Sequence, residues 1–385
     1  MSGPLLGLAA ILLLLALGGA ILRRAGQSAV PVYILLGVAT RTTVVDPDVV
    51  RFVEAIGVAL LLFFVGLEFS ILRLRRGARS FAVAGGIDLA INFPVGFLGG
   101  IALGWELPAA LLLGAALYVS SSAIVAQNLF DLGRAAHPET ELVLGILVAE
   151  DLIIALFLAG LSLWPSLSLG EVSPPTTIAA IIALILLLTV LADPLTRILD
   201  ALFVRLDDEV LLLAISGFLL LFAGVSLQAG LSEAVGAFTA GLLVGNATSK
   251  ARVEKLLAPF LGLFSALFFF GFGLTIEGST LPPALATGLA LAAVALGGKL
   301  LGGLAAGLKA KLSVAASVSL GLTLSPRGEF SVLLAAYGVA LGHPELGPTV
   351  AIVVVSLAVA GTLLTQLSPR IGLAVQDLTR RRKPD

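Results

Sequence analysis

Apolar runs of about twenty residues recur along nearly the whole chain, separated by short clusters of glycine, proline and charge. Read against those breaks, hydropathy predicts thirteen membrane-spanning helices, at residues 4–22, 29–45, 50–71, 80–104, 107–129, 141–163, 176–198, 209–228, 231–247, 257–276, 281–307, 311–341 and 347–368. The runs are continuous rather than alternating, so they read as helices and not as the strands of a membrane barrel. Basic residues fall in every second loop. With the N-terminus outside, 19 of the 23 Lys and Arg lie on the inner side, from Arg23 and Arg24 through to Arg380, Arg381, Arg382 and Lys383. Arg41 and Arg51 lie opposite, while Lys299 and Arg327 fall within spans. An odd number of spans then leaves the C-terminus cytoplasmic. The first run has no basic residue ahead of it and is followed by Arg23-Arg24, the reverse of a cleaved signal peptide.

Composition agrees with an integral membrane protein. Over 385 residues, 58% hydrophobic and 12% charged side chains with a mean hydropathy of +1.10 exclude a soluble globule, whose charged share is about 25%. The net charge of −1 carries less information than the placement of charge, and no nucleic-acid partner is expected. There is no cysteine, and the two histidines, His137 and His343, stand in polar loops. That leaves little for a disulfide, a thiolate site or a histidine metal site. A membrane enzyme such as a prenyl transferase needs paired aspartate-rich motifs for magnesium and diphosphate; no DDxxD-type element occurs, and no enzymatic role or cofactor is expected.

Charge inside the apolar runs is the chemistry to explain. Glu150 and Asp151 are adjacent in the middle of the run 142–163, and Lys299 sits within 281–308. A charged group at membrane depth costs at least about 2.5–3.5 kcal/mol, so each requires water, an ion or a partner of opposite sign. Neighbouring residues on a helix point about 100° apart. Both acids cannot enter one cavity fully; pairing Glu150 with Lys299 leaves Asp151 for an ion.

The chain also carries an internal echo. Residues 62–69, LFFVGLEF, correspond to 269–276, FFGFGLTI, at an offset of 207; Ser120-Ser121-Ser122 interrupts the run 107–129 and Ser325-Pro326-Arg327-Gly328 interrupts 311–341, at an offset of 205. Seven helices separate the members of each pair, so the halves cross the membrane in opposite senses, the plan of an inverted-repeat transporter. Serines compete with the backbone for hydrogen bonds, and Pro326 removes a donor. The serine run suits either a helix break or close helix packing. Two breaks that cross would oppose their half-helix dipoles, with Glu150 and Asp151 suited to the positive ends and Lys299 to the negative ones. Elsewhere, Glu68 near four arginines reads as a structural ion pair, Asp88 and Asn92 share a face of 80–104 and border an inner cavity, Glu233 caps a helix, and Arg327 and Glu329 neutralise one another.

Gly66-Leu67-Glu68-Phe69, Ser120-Ser121-Ser122-Ala123-Ile124-Val125, Leu147-Val148-Ala149-Glu150-Asp151, Gly236-Ala237-Phe238-Thr239-Ala240-Gly241-Leu242-Leu243 and Gly328-Glu329-Phe330, in that order, resemble the monovalent cation:proton antiporter-2 family. This is the sodium/hydrogen exchanger-like membrane domain shared with potassium efflux antiporters. The resemblance implies an all-α integral membrane fold of about thirteen helices, with an inverted repeat and two interrupted crossing helices, acting as a homodimer in a prokaryotic plasma membrane. Within one transmembrane domain it assigns 1–71 and 209–276 to a dimer scaffold, 80–163 and 281–368 to a core transport bundle, 176–198 to a linking helix and 369–385 to a cytoplasmic tail. By resemblance Asp151 is the ion- and proton-binding carboxylate, Lys299 the core basic residue and Glu329 the acid beside the second break. Glu150 departs from the pattern: potassium-efflux members carry Gln there, electroneutral exchangers Asn, and electrogenic sodium exchangers a second Asp.

The expected function is therefore monovalent cation (Na+ or K+)/proton antiport by an elevator motion, with Na+ or K+ held by Asp151, Ser121, Ser122 and carbonyls freed by the breaks. The helix-break set is Ser120, Ser325, Pro326, Arg327, Gly328 and Glu329. If cation entry disrupts the Glu150–Lys299 pair and Lys299 sheds its proton, two protons move per ion. The substrates are the cation and the proton, and lipid is the surrounding partner. The rival expectation is a sodium-coupled organic-solute symporter on the same plan, which would want a larger polar cavity.

Overall fold

A computed structural model describes residues 4–40, 47–68, 71–134, 137–169, 192–228, 233–245 and 247–381. The described residues form helices: α1 (Pro4–Arg24), α2 (Val30–Thr40), α3 (Pro47–Glu68), α4 (Ile71–Ala102), α5 (Leu107–Tyr118), α6 (Ser122–Asp131), α7 (Thr140–Leu169), α8 (Ala192–Phe203), α9 (Asp208–Gln228), α10 (Glu233–Gly245), α11 (Lys250–Thr275), α12 (Leu281–Lys309), α13 (Val314–Thr323), α14 (Glu329–Ala340) and α15 (Leu346–Arg381). Among the described residues, seven segments are long and apolar enough to cross a membrane, and shorter apolar helices accompany them. The chain is a multi-pass membrane protein. Most of the expected span 176–198, and the side chain of Glu68, lie outside the described residues.

Several boundaries differ from the hydropathy reading, α4 starting at Ile71 rather than 80 among them. The described part of the helix α8 runs on to Phe203, five residues past the expected end of the span 176–198, and buries Thr196, Leu199 and Phe203 at helical spacing. The helix α11 starts at Lys250, because Asp200 accepts hydrogen bonds from the Thr248 and Ser249 N–H groups just ahead of its first turn. The last helix, α15, continues past Pro369 to Arg381. There the Gln376 side chain accepts from the Ala315 N–H at 3.2 Å, satisfying a donor in the first turn of α13.

The chain divides into two compact units, Met1–Asp46 with Gly77–Asp151 and Phe269–Asp385, and Pro47–Arg76 with Leu152–Phe268. In the first, α12 packs on α13 and α15, α13 on α15, and α14 on α5 and α15. Val125, Val143, Ile146, Leu147, Leu320 and Leu324 build its buried cluster. In the second, α10 packs on α3 and α9. Glycine permits these approaches. A Cβ on Gly303 would collide with Gly321, and one on Gly66 would collide with the backbone of α10 at Phe238. The echoed sequence has a shared physical cause here: Gly66 meets Gly241 within its unit, and Gly273, 207 residues on, meets Gly37 within its own.

A polar cluster closes the first unit at the junction between α6 and α7. Arg134 donates to Glu139 Oε1 at 2.7 Å, to Ser319 Oγ at 2.6 Å, to the Thr365 carbonyl at 2.8 Å and to Ser368 Oγ at 2.9 Å. Burial alone would raise the Glu139 pKa, but the hydrogen bonds from its own backbone, Arg134 and Ser319, with the Arg134 charge, hold it below the ordinary 4.5. A carboxyl with a depressed folded pKa stabilises above its unfolded value, and that stabilisation disappears as pH falls through the folded value. The Tm gap between wild type and E139Q is therefore expected to stay constant above about pH 5 and to close in more acid solution, as thermal unfolding in detergent across pH would read. A Gly303→Val variant should lose about 1–3 kcal/mol by overpacking, whereas Gly297→Ala, which faces open space, should leave the Tm unchanged or higher.

Candidate functional site

The first unit contains two places where a helix stops and restarts. After α5 the chain turns extended at Val119 (φ −73°, ψ 131°), and α6 resumes at Ser122. After α13, residues 324–328 intervene before α14 begins at Glu329. The two gaps are bonded to each other. Ser121 N–H donates to the Pro326 carbonyl at 2.9 Å, and Ser120 Oγ donates to the Leu324 carbonyl at 2.8 Å. Gly328 makes this approach possible, since a Cβ there would collide with the Ser121 side chain; Gly361 gives the same clearance to Pro326.

Four helix ends therefore meet, and charge sorts itself among them. At the C-terminal ends stands Arg327, fully buried. It donates to the Leu117 carbonyl through Nε (3.2 Å) and Nη2 (2.8 Å), and through Nη1 to the carbonyls of Leu324 (3.1 Å) and Ser325 (3.0 Å). Its planar fork thus covers the last carbonyls of both α5 and α13. Ser331 Oγ covers another, that of Ala116, at 2.7 Å. The N-terminal ends carry acids: Glu150 accepts from Ser120 N–H, Asp151 Oδ2 from Ser122 Oγ at 2.7 Å, and Glu329 Oε2 from Ser121 Oγ at 2.8 Å. Two expectations change. Arg327, not Lys299, serves the negative helix ends, because it alone lies in the gap. It is likewise spent on carbonyls rather than on Glu329, which turns to Ser121.

Lys299 has other work. Its Nζ, fully buried, lies 2.6 Å from Glu150 Oε1 and 2.7 Å from Asp88 Oδ2, and 5.3 Å from the centroid of the Tyr118 ring. Asn92, one turn beyond Asp88, donates to Asp88 Oδ1 at 2.9 Å and to the Asp88 carbonyl at 3.0 Å. The structure thus joins Glu150 with Lys299 and Ser120, gives Ser122 to Asp151, and gives Ser121 to Glu329. Asp88 as a second partner of Lys299 was not foreseen. A signal existed: Gly297-Gly298 and Gly302-Gly303 flank Lys299, and Gly298 and Gly302 clear the space in which α4 brings Asp88 and Asn92 close.

Six ionisable groups gather here: Asp88, Glu150, Asp151 and Glu329 against Lys299 and Arg327. Fully ionised, the group lacks positive charge, in surroundings where an uncompensated ion is costly. A cation or protons can supply it. Asp151, with the Ser122 hydroxyl beside it, offers oxygen ligands of the kind a hard cation takes.

Comparisons with known proteins bear on this site. The model of the family "Sodium/hydrogen exchanger, transmembrane" matches residues 10–368. The chain is 37% identical over 340 residues to the K+/H+ antiporter subunit KhtU of Bacillus subtilis (strain 168), covering 87% of this chain and 84% of that protein. It is 32% identical over 368 residues to the ammonium/H+ antiporter subunit AmhT of Alkalihalophilus pseudofirmus, covering 94% of this chain and 92% of that protein. Its fold is similar to that of the sodium proton antiporter MjNhaP1 of Methanocaldococcus jannaschii, with a TM-score of 0.69 at 18% identity over 96% of this chain and 98% of that one.

Lysine in place of Arg327 keeps the charge but presents its donors from one point, so it cannot span the Leu117 and Leu324 carbonyls together. R327K is expected to lose about 1–3 kcal/mol for each carbonyl left bare, seen as a lower Tm in detergent. An unchanged Tm would show that bridging the two helix ends is not what the guanidinium does.

Proposed function

The chain belongs to the sodium/hydrogen exchanger family, whose members are monovalent cation:proton antiporters, and from that premise we propose that it is a secondary active antiporter exchanging Na+ or K+ for protons. The observation that carries this reading is Asp151, 6% exposed, held by Ser122 at the start of α6 where the two chain breaks meet. One carboxylate can take a proton or a cation but not both at full strength, and mutual exclusion at one site is what couples the two flows. The Ser122 hydroxyl and carbonyls of the broken segments complete an oxygen shell around the cation. The named cations of the relatives, potassium and ammonium, favour a monovalent substrate.

Alternating access follows an elevator motion, in which a core of 80–163 and 281–368 moves against a scaffold of 1–71 and 209–276, with 176–198 as the link. The interlocked breaks suit such a motion. Because Ser121 bonds Pro326 and Ser120 bonds Leu324, the site travels more readily as one body than by opening itself. The protein works as a homodimer in a prokaryotic plasma membrane, N-terminus outside and C-terminus in the cytoplasm.

Purified protein in liposomes loaded with a pH-sensitive dye tests the reading. Adding Na+ or K+ to wild type should drive proton movement, and D151N should abolish it. Near-normal exchange in D151N, or no cation-dependent proton movement in wild type, would end the proposal.

A further inference from the structure

A second buried polar cluster, that of Arg134, stands apart from the acids and serines of the breaks. Arg134 and Glu139 are each 3% exposed, and Thr365 and Ser368 are fully buried. The guanidinium is shared among three elements. Nη1 bonds α15 at the Thr365 carbonyl and Ser368 Oγ, while Nη2 bonds Ser319 on α13 and Glu139 just ahead of α7. The Arg134 backbone carbonyl takes Thr140 Oγ1 at 2.7 Å, which closes the turn between α6 and α7. One side chain thus fastens that turn to α13 and α15.

Each of these elements also reaches the place where the breaks meet. The helix α6 starts there at Ser122 and has ten residues, about 15 Å of length. The helix α7 carries Glu150 eleven residues beyond Glu139, about 16 Å along its axis. Leu324, just past α13, accepts from Ser120, and Gly361 of α15 leaves room for Pro326. Between the two levels α6 and α15 share a long bond, Asn128 Nδ2 to Thr362 Oγ1 at 3.4 Å. Short polar bonds hold α6 at its two ends: Ser121 and Ser122 at the breaks, and Arg134 in the turn.

Stability does not account for this pair. Desolvating a buried ion pair costs about what its attraction returns, and packed apolar side chains of the same volume hold helices as firmly or more so. What apolar contacts lack is direction. They tolerate a shift along the helix axis, whereas a guanidinium bonded to three elements at once permits little.

We propose that Arg134 with Glu139 is a positioning pair for the ion site: it sets the depth of α6 and α7 against α13 and α15, and with it the register in which Ser121 meets Pro326 and Ser122 meets Asp151. Arg134 acts through α6 and Glu139 through α7, and neither touches the transported ion. The consequence for cation affinity rests on the antiport reading above; the consequence for the register of the breaks does not.

The test is the paired substitution R134M with E139L, which removes both charges at similar volume and leaves Ser319, Ser368 and the Thr365 carbonyl bonded among themselves. Amide hydrogen exchange of the purified protein in nanodiscs reads the break directly. The Tm should equal or exceed that of wild type, while the Ser121 amide, bonded to Pro326, exchanges faster and the amides of α9 do not. In liposomes the variant should need about tenfold more K+ or Na+ for half-maximal proton movement at an undiminished maximal rate, the low end of what losing an outer support costs a cation site. Exchange at Ser121 that is unchanged, or that rises evenly over all helices, overturns the proposal and leaves Arg134 a purely structural residue. Absence of cation-driven proton movement in wild type would remove the antiport reading, and hydrogen exchange at Ser121 would still decide this one. If the paired variant does not fold, R134K takes its place, because it keeps the charge but cannot span α13 and α15 from a single nitrogen. Selectively faster exchange at Ser121 in R134K supports the positioning role, and unchanged exchange overturns it.

Discussion

Interrupting a helix at membrane depth exposes backbone groups that lipid cannot satisfy, and the site is organised around meeting that demand. The two breaks satisfy part of it between themselves, through Ser121 N–H on the Pro326 carbonyl and Ser120 Oγ on the Leu324 carbonyl. Arg327 satisfies most of the rest, gathering the carbonyl ends of α5 and α13 under one guanidinium. Once the negative ends are neutralised by a cation, the positive ends are free to take acids. Glu150, Asp151 and Glu329 then occupy them through the three consecutive serines, one each.

Packing supplies the second half of the arrangement. Lys299 stands where α12 and α13 approach backbone to backbone: a Cβ on Gly303 would meet Gly321, and one on Gly321 would meet the Lys299 carbonyl. Asp88 reaches Lys299 because Gly298 and Gly302 leave room for Asn92 and Asp88 on the facing helix. Without lipid-facing hydrophobic gain to drive helices together, small residues that let backbones touch are the means of association, and here they also set the distances between charges. Stability and chemistry share the same glycines.

Much of this was legible in the sequence, and what was not has identifiable causes. Glu150, Asp151 and Lys299 stood out because charge in an apolar run is costly, and helical geometry already turned the two neighbouring acids apart and paired Glu150 with Lys299. The helix gaps at Ser120 and Ser325 were visible as residues that compete with or lack backbone hydrogen bonds. Partners were harder. Ser121 and Ser122 are chemically alike, and only the hydrogen bonds where the two breaks meet assign one to Glu329 and the other to Asp151. Asp88 lay in plain view at the polar edge of a span, but its meeting with Lys299 spans 211 residues and depends on how two helices rotate. The ends of α8 past 198 and of α15 past 368 escaped because amphipathic helix ends average to modest hydropathy.

The adjacency of Glu150 and Asp151 then acquires a definite meaning. Two acids one residue apart would ordinarily repel, and a single cavity holding both would favour one proton shared between them. Here the helix turns them apart, Glu150 into the fully enclosed company of Lys299 and Asp88 and Asp151 toward Ser122 with slight exposure. One helical residue step thus gives two adjacent acids different partners, the Lys299 ammonium for one and the Ser122 hydroxyl for the other.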